Sequence, residues 1–137
     1  MSDMNDWNAA IIEEFRANGG RVEQFGDAPL VILHTIGAKT GRTRQIPLVM
    51  LLDGDRRFVF ASAAGSPKHP DWYHNLVASP EIDVELDAET IRARLAELDE
   101  AESAARLEQQ AAIMPQFGDY VTSAAPRKIP AFEIIPA

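Results

Sequence analysis

Apolar positions along the chain change period several times, and each change marks an element. Trp7, Ala10, Ile11, Ile12 and Phe15 recur close to helical spacing, which predicts a first helix over residues 6–17 with a left-handed cap at Asn18-Gly19-Gly20. Its one apolar face suits a helix closing the end of a barrel, or a flap on a substrate side. Leu30–Ile36 is a nearly continuous run of branched residues between Pro29 and Gly37, the mark of a buried strand. His34 within it reads as a satisfied core or rim residue. Residues 45–52 predict a second strand and 57–62 a third, joined at Asp53-Gly54 by a type I′ hairpin turn, where glycine accepts the positive φ.

Pro70 suits the first turn of a helix over residues 70–78, with Asp71 on the favourable side of its dipole and Ser79-Pro80 as its stop. EIDVELD then alternates, with Ile82, Val84 and Leu86 on one face and Asp83, Glu85 and Asp87 on the other, as expected of a half-solvated antiparallel strand. Across an Asp87-Ala88 turn, Ile91, Ala93 and Leu95 alternate with Arg92 and Arg94, so acidic and basic outer faces can pair. Asp99 and Glu102 form a capping-box pattern ahead of a helix whose apolar side is Ala104, Leu107, Ala111 and Met114 and which Pro115 ends. Residues 116–125, between Pro115 and Pro126, are expected to be irregular, leaving Phe117 and Tyr120 outside regular structure. Residues 129–135 predict a last strand, with Pro130 marking an edge or an entry. About six mostly hairpin-connected strands with three helices make an antiparallel α+β barrel in one domain over residues 1–137, not a regularly alternating βαβ sheet.

Composition narrows the chemistry. There is no cysteine among the 137 residues, which excludes disulfides, thiolate metal sites and cysteine nucleophiles and suits a reducing cytoplasm. MSDMNDW lacks the basic and apolar regions of a secretory signal, and no apolar run approaches the roughly 20 residues of a membrane helix. A net charge of -8 argues against a nucleic-acid partner. Yet within residues 37–68, Lys39, Arg42, Arg44, Arg56, Arg57 and Lys68 face only Asp53 and Asp55. A positive island in a negative chain predicts a small anionic ligand.

Two loops carry the candidate chemistry. In GAKTGRTR (residues 37–44) two glycines permit close backbone approach, while Lys39, Arg42 and Arg44 supply charge and Thr40 and Thr43 hydroxyls. Ala38 stands where a Walker A loop needs glycine, so the segment is either a charged hairpin turn or a different anion site. The small residues from Ala61 to Gly65 leave backbone bare for a flat ring, followed by Lys68 and the free N–H groups of a helix start. Trp72, Tyr73 and Asn75 either frame that ring or dock the helix. His69 and His74, five residues apart, do not share a helix face and have no third ligand, so no metal site is expected. Neither a Ser-His-Asp arrangement nor a glycosidase carboxylate pair can be read.

The TIGAKTGRTR segment, ASAAGSPKHPDWYHNL at its following distance, EFRANGGRV and the closing RKIPAFEIIP together resemble the deazaflavin (coenzyme F420)-dependent nitroreductase family. The resemblance spans nearly the whole chain and implies an FMN-binding-like split β-barrel that binds coenzyme F420. It implies that Ala38, Lys39, Thr40 and Arg44 contact the anionic tail and phosphate. Pro47, Leu48 and Val49 would line the ring with the backbone of Phe60, Ala61, Ser62 and Ala63. Lys68, Asp71, Trp72, Tyr73 and Asn75 would complete the cradle, and Tyr120 would lie on the substrate side. The implied activity is hydride transfer from the reduced deazaflavin to a nitroaromatic, quinone or enone. FMN or haem on the same barrel, or a carrier that holds the deazaflavin without turnover, are the competing expectations. A homodimer is expected by analogy.

Overall fold

The computed structural model describes residues 3–137, and of residues 3–7 the backbone alone. Trp7, placed by the sequence pattern on the first helix's apolar face, lies outside the described side chains. Seven strands form one antiparallel sheet in the order β2-β1-β5-β6-β7-β4-β3: β1 Leu30–Ile36, β2 Thr43–Val49, β3 Leu51–Asp53, β4 Arg56–Phe60, β5 Glu81–Leu86, β6 Glu89–Glu97 and β7 Ala131–Pro136. Four α-helices accompany them: α1 Asp3–Ala17, α2 Asp71–Ala78, α3 Glu100–Ile113 and α4 Gln116–Ala124. β2 and β3 follow each other in the chain yet stand at opposite ends of the sheet order, so the sheet curls into a split barrel whose seam lies at Met50.

Three apolar clusters explain the hydrophobic pattern. Val31, Leu33, Val59, Ile82, Val84, Leu95, Phe132 and Ile134 fill the inside of the curl, with Trp72 of α2 against them. On the outer face, Leu30 and Ile32 pack with Ile11, Ile12 and Phe15 of α1. Phe58 and Phe60 pack with Leu107 of α3 and with Phe117 and Ala124 of α4. β1 and β4 are thus covered on both faces, which is why β1 reads as an unbroken apolar run rather than an alternation. Each such fully buried side chain contributes about 1.5–3 kcal/mol of transfer free energy.

Several elements differ from the sequence expectation. The 45–52 strand is two strands, broken where the Met50 N–H leaves the ladder for the Pro29 carbonyl at 2.8 Å. The third strand runs over 56–60 and not to Ser62, because Ser62 starts a tight turn with left-handed residues behind it. The β3–β4 turn has positive φ at Gly54 (62°) but not at Asp55, the pattern of a type II′ turn in place of type I′. Residues 116–125 are not irregular: α4 occupies them, with Phe117 and Ala124 on its buried side. On α3 the buried polar residues Ser103 and Gln110 share the inner face with Leu107, while Ala104 is exposed. Pro130 is an entry residue, since β7 begins at Ala131 and lies between β6 and β4. Asp99 does cap α3, accepting from the Glu102 N–H at 2.7 Å, and the Glu102 carboxylate meets Arg56 and Arg106.

Candidate functional site

The loop from Gly37 to Arg42 closes on itself before any ligand arrives. Gly37 N–H donates to the Arg42 carbonyl and Gly41 N–H to the Gly37 carbonyl, both at 2.8 Å, and the Thr40 hydroxyl accepts from the Arg42 N–H at 3.2 Å. A Cβ on Gly37 would come within 2.7 Å of Thr40 Oγ1, so the closure requires glycine there. From α2, buried Asn75 accepts the Ala38 N–H on Oδ1 at 3.0 Å and fixes the loop to the helix. Between loop and helix lies a cavity of about 310 Å³ lined by Gly37, Ala38, Lys39, Thr40, Arg44, Asp71, His74 and Asn75. Among the described residues, the side chains of Lys39, Arg42, Arg44 and Lys68 have no hydrogen-bond or ion-pair partner. Cations left unpaired around a preformed loop suit an incoming anion, and Asp71 is the one carboxylate in the lining.

Farther along β2, a second concavity of about 230 Å³ is mostly apolar. Pro47, Leu48 and Val49 form one wall, Phe60, Ser62 and Ala64 another, and Met114, Gln116, Phe117 and Tyr120 a third. Tyr120 meets Phe117 edge-on at 5.2 Å. The four residue steps from Arg44 to Leu48 span about 13 Å of strand, so β2 presents a cationic end and an apolar slot on one rigid element.

The structure therefore groups the sequence candidates into two sets. Ala38, Lys39, Thr40, Arg44, Asp71 and Asn75 line the first cavity, and Pro47, Leu48, Val49, Phe60, Ser62 and Tyr120 line the second. Ala61, Ala63, Lys68, Trp72 and Tyr73 line neither. Trp72 is in the barrel core, its ring 6.2 Å from that of Phe132, and the Tyr73 hydroxyl donates to Glu97 at 2.9 Å. The positive island also divides. Arg56 pairs with Glu133 and Glu102, and Arg57 lines a different cavity beside Leu30 and Asp87. Arg57 thus lies at the Leu30 end of β1, about one strand length, roughly 20 Å, from the Gly37 loop at its other end.

Two neighbours of the site were not among the residues singled out from the sequence, although one of them, Arg127, opens the RKIPAFEIIP segment. Arg127, entering from beyond α4, donates to the carbonyls of Ala61, Ser62 and Ser66 and approaches His69 Nδ1 at 3.1 Å. Since guanidinium only donates, Nδ1 is the acceptor in this contact and the neutral ring carries its proton on Nε2. Burial, then the Arg127 charge, lowers the His69 pKa. The other is Glu85, which the alternation of β5 places on the solvent side. It is buried beneath α1, where it takes two hydrogen bonds from Arg16, at 2.9 and 2.7 Å, and meets His34 Nε2 at 2.6 Å. α1 so held forms, with β2, an outer cleft of about 750 Å³ that includes Arg16, Gln45 and again Arg44. Among the described residues no His, Asp or Glu cluster could hold a metal, and no helix is long and apolar enough to cross a membrane.

Comparison with known proteins gives the family. A family model described as F420H(2)-dependent quinone reductase matches residues 8–134. An F420H(2)-dependent quinone reductase of Mycobacterium tuberculosis (strain H37Rv) is 39% identical over 74 residues, which are 53% of this chain and 50% of the relative. This chain thus spans about half the length of the curated relatives it matches. A solved F420-H2 dependent reductase superposes with a TM-score of 0.68 at 31% identity, over 77% of this chain and 93% of its own. A second solved structure, described only as a domain-swapped dimer, has a TM-score of 0.69 at 28% identity, over 96% of this chain and 99% of its own. The match over residues 8–134 includes both loops, the slot and α4, and the chain belongs to the F420H(2)-dependent quinone reductase family.

Proposed function

We propose that this protein reduces an electrophilic organic acceptor, a quinone, nitroaromatic or enone, with reduced coenzyme F420. The observation that carries the reading is the pairing on β2 of an unpaired cationic loop with an apolar slot, at a spacing that suits a ligand with a phosphate at one end and a flat ring at the other. When bound, reduced F420 supplies the hydride. The protein supplies position and a dry wall. Lys39 and Arg44 would hold phosphate and the acidic tail, with Thr40 and the Ala38 backbone fixing the loop under them. Asn75 orients that loop through its bond to Ala38, and Asp71 lines the same cavity, with Lys68 outside it. Pro47, Leu48, Val49, Phe60 and Ser62 would bound the ring, while Ala61 and Ala63 set the course of the loop behind it. Trp72 and Tyr73 would act from behind, by seating α2 on the barrel. Tyr120 in α4 offers a hydroxyl at the slot, where it can hold or deliver the proton that completes reduction.

Replacing Lys39 or Arg44 by alanine removes a charge-assisted bond worth about 1.5–3 kcal/mol, so affinity should fall about ten-fold or more. Quenching of deazaflavin fluorescence measures it. Unchanged affinity in both variants, or preferential binding of FMN by the wild type, overturns the cofactor assignment. Binding of the coenzyme with no oxidation of its reduced form by quinone, nitro or enone compounds makes the protein a carrier. A homodimer is part of the proposal, because β2 is an open edge strand with unpaired backbone on one side, and sedimentation equilibrium tests it.

A further inference from the structure

The loop after β4 is held in an unusual shape. Ala63, Ala64 and Gly65 lie in succession at φ of 48°, 51° and 82°, the left-handed region that residues with a Cβ seldom occupy. Its own bonds are few: Gly65 N–H to the Ser62 carbonyl at 2.9 Å, and Ser66 N–H to the Ala63 carbonyl at 3.0 Å. Three carbonyls around it, that of Ser62 for a second bond, are gathered by one side chain. Arg127 Nη1 donates to Ala61 at 2.9 Å, Nη2 to Ser62 at 2.9 Å and to Ser66 at 2.8 Å, and Nε to Ser66 at 3.0 Å. The same Nη1 reaches His69 Nδ1, whose ring stacks on Tyr73 at 4.2 Å. Arg127 follows α4 closely, and its N–H bonds to the Ala124 carbonyl at 3.0 Å. On its other side, Gly65 lies against α4 so tightly that an added Cβ would sit 2.9 Å from Ser123 Cβ and 3.1 Å from Tyr120 Cα.

These contacts meet at the apolar slot. Ser62 and Ala64 form its loop wall, and Gln116, Phe117 and Tyr120 its helix wall. We propose that Arg127 is a positioning residue for this reductase: by clasping three loop carbonyls from the end of α4, its guanidinium sets the distance between the two walls and the height of Tyr120 above the slot. The inference rests on the functional reading above for what the slot holds. Arginine is required because three carbonyls in different directions need a planar fork of donors, which a lysine ammonium does not present. The charge-bearing loop at Lys39 and Arg44 lies elsewhere on β2 and α2, so Arg127 governs alignment of the ring and acceptor more than capture of the phosphate.

The test uses the full chain as R127K and R127Q. Without coenzyme, amide hydrogen exchange at Gly65 and Ser66 should accelerate in both variants while the β1 amides keep their protection. With reduced F420 and a naphthoquinone acceptor, kcat should fall about 10- to 100-fold, the scale of a small misplacement of reacting groups. Affinity for oxidised F420 should fall by less than in the Lys39 or Arg44 alanine variants. Should R127Q not fold, R127K carries the same readings. Unchanged exchange at Gly65 and Ser66 overturns the proposal, as does kcat retained within about two-fold, a change of under 0.5 kcal/mol. Loss of β1 protection together with kcat also overturns it, since the residue would then be a general support. A wild type that does not bind F420 defeats the functional reading instead, and the exchange data still decide whether Arg127 holds the loop.

Discussion

Arg16 of α1 and His34 of β1 converge on the one carboxylate of Glu85 in β5, so a single buried charge joins three elements. The Arg16 hydrogen bonds, with His34 second among the favourable partners, hold that carboxyl down to about 2 from its ordinary 4.5. Burial alone would have raised it, so the partners win. A carboxylate whose pKa is lower in the folded chain than in the unfolded one stabilises above the unfolded value and loses that stabilisation as the pH falls toward the folded one. The contribution, about 3 kcal/mol by this shift, is therefore present at pH 7 and disappears between roughly pH 5 and 2. Glu85→Gln should lower the unfolding free energy at pH 7 by about 2–3 kcal/mol. In urea titrations its deficit against the wild type should shrink as the pH approaches 2, and a deficit independent of pH rejects the account. The period of β5 correctly assigns Glu85 to the outer face. What a period cannot say is that another element covers that face, which depends on where α1 returns.

α4 shows the same limit one scale up. Its spacing of Phe117, Tyr120 and Ala124 is helical, but Gly118, Thr122 and Ser123 have weak helix propensity and prolines stand at 115 and 126. Packing of its apolar side on Phe60 and Leu107 and against Gly65 overrides that weakness. By contrast β1, α2 and the β5–β6 hairpin are legible because local pattern and tertiary environment agree: β5 pairs with β6 from Glu81↔Arg94 to Leu86↔Glu89, and Arg92 meets Asp83 at 3.4 Å. The Gly37 loop could be noticed as a candidate because glycines and cations need no partner to be seen, whereas of the second loop only Ser62 and Ala64 reach a cavity. Arg127 was visible only as the first residue of the RKIPAFEIIP segment, and its role was not, because its partners are carbonyls some 60 residues away. The α4 contact yields a prediction from two glycines of like conformation. Gly41 (φ 71°) has nothing within 4 Å of an added Cβ, whereas Gly65 (φ 82°) would meet α4. Gly41→Ala should cost only the left-handed penalty, about 1–2 kcal/mol, while Gly65→Ala adds about 1–3 kcal/mol of overpacking. Chemical denaturation of the two variants compares them, and equal losses would show that α4 yields freely.

For the whole molecule, the question is how a chain of net charge -8 binds an anion. Its acids are concentrated after residue 80, and several of its bases are already neutralised: Arg16 by Glu85, Arg56 by Glu133 and Glu102, Arg106 by Asp53. The unpaired cations Lys39, Arg42 and Arg44 lie together on or beside one loop. A bound phosphate would be within a few ångströms of them, where an ion pair near a protein surface is worth about 4 kcal/mol before desolvation. The near field should therefore decide affinity. The two fields respond to salt with opposite sign. If the local cations dominate, raising ionic strength from about 0.05 to 0.5 M shortens the screening length from above 10 Å to only a few ångströms and weakens binding of oxidised F420 several-fold. If the net charge dominates, the same salt relieves repulsion and binding tightens. We expect weakening in the wild type and a shallower salt dependence in Arg44→Ala, read from fluorescence titrations across the salt series. Tighter binding at high salt would mean that the acidic surface, and not the Gly37 loop, sets the field that the coenzyme meets.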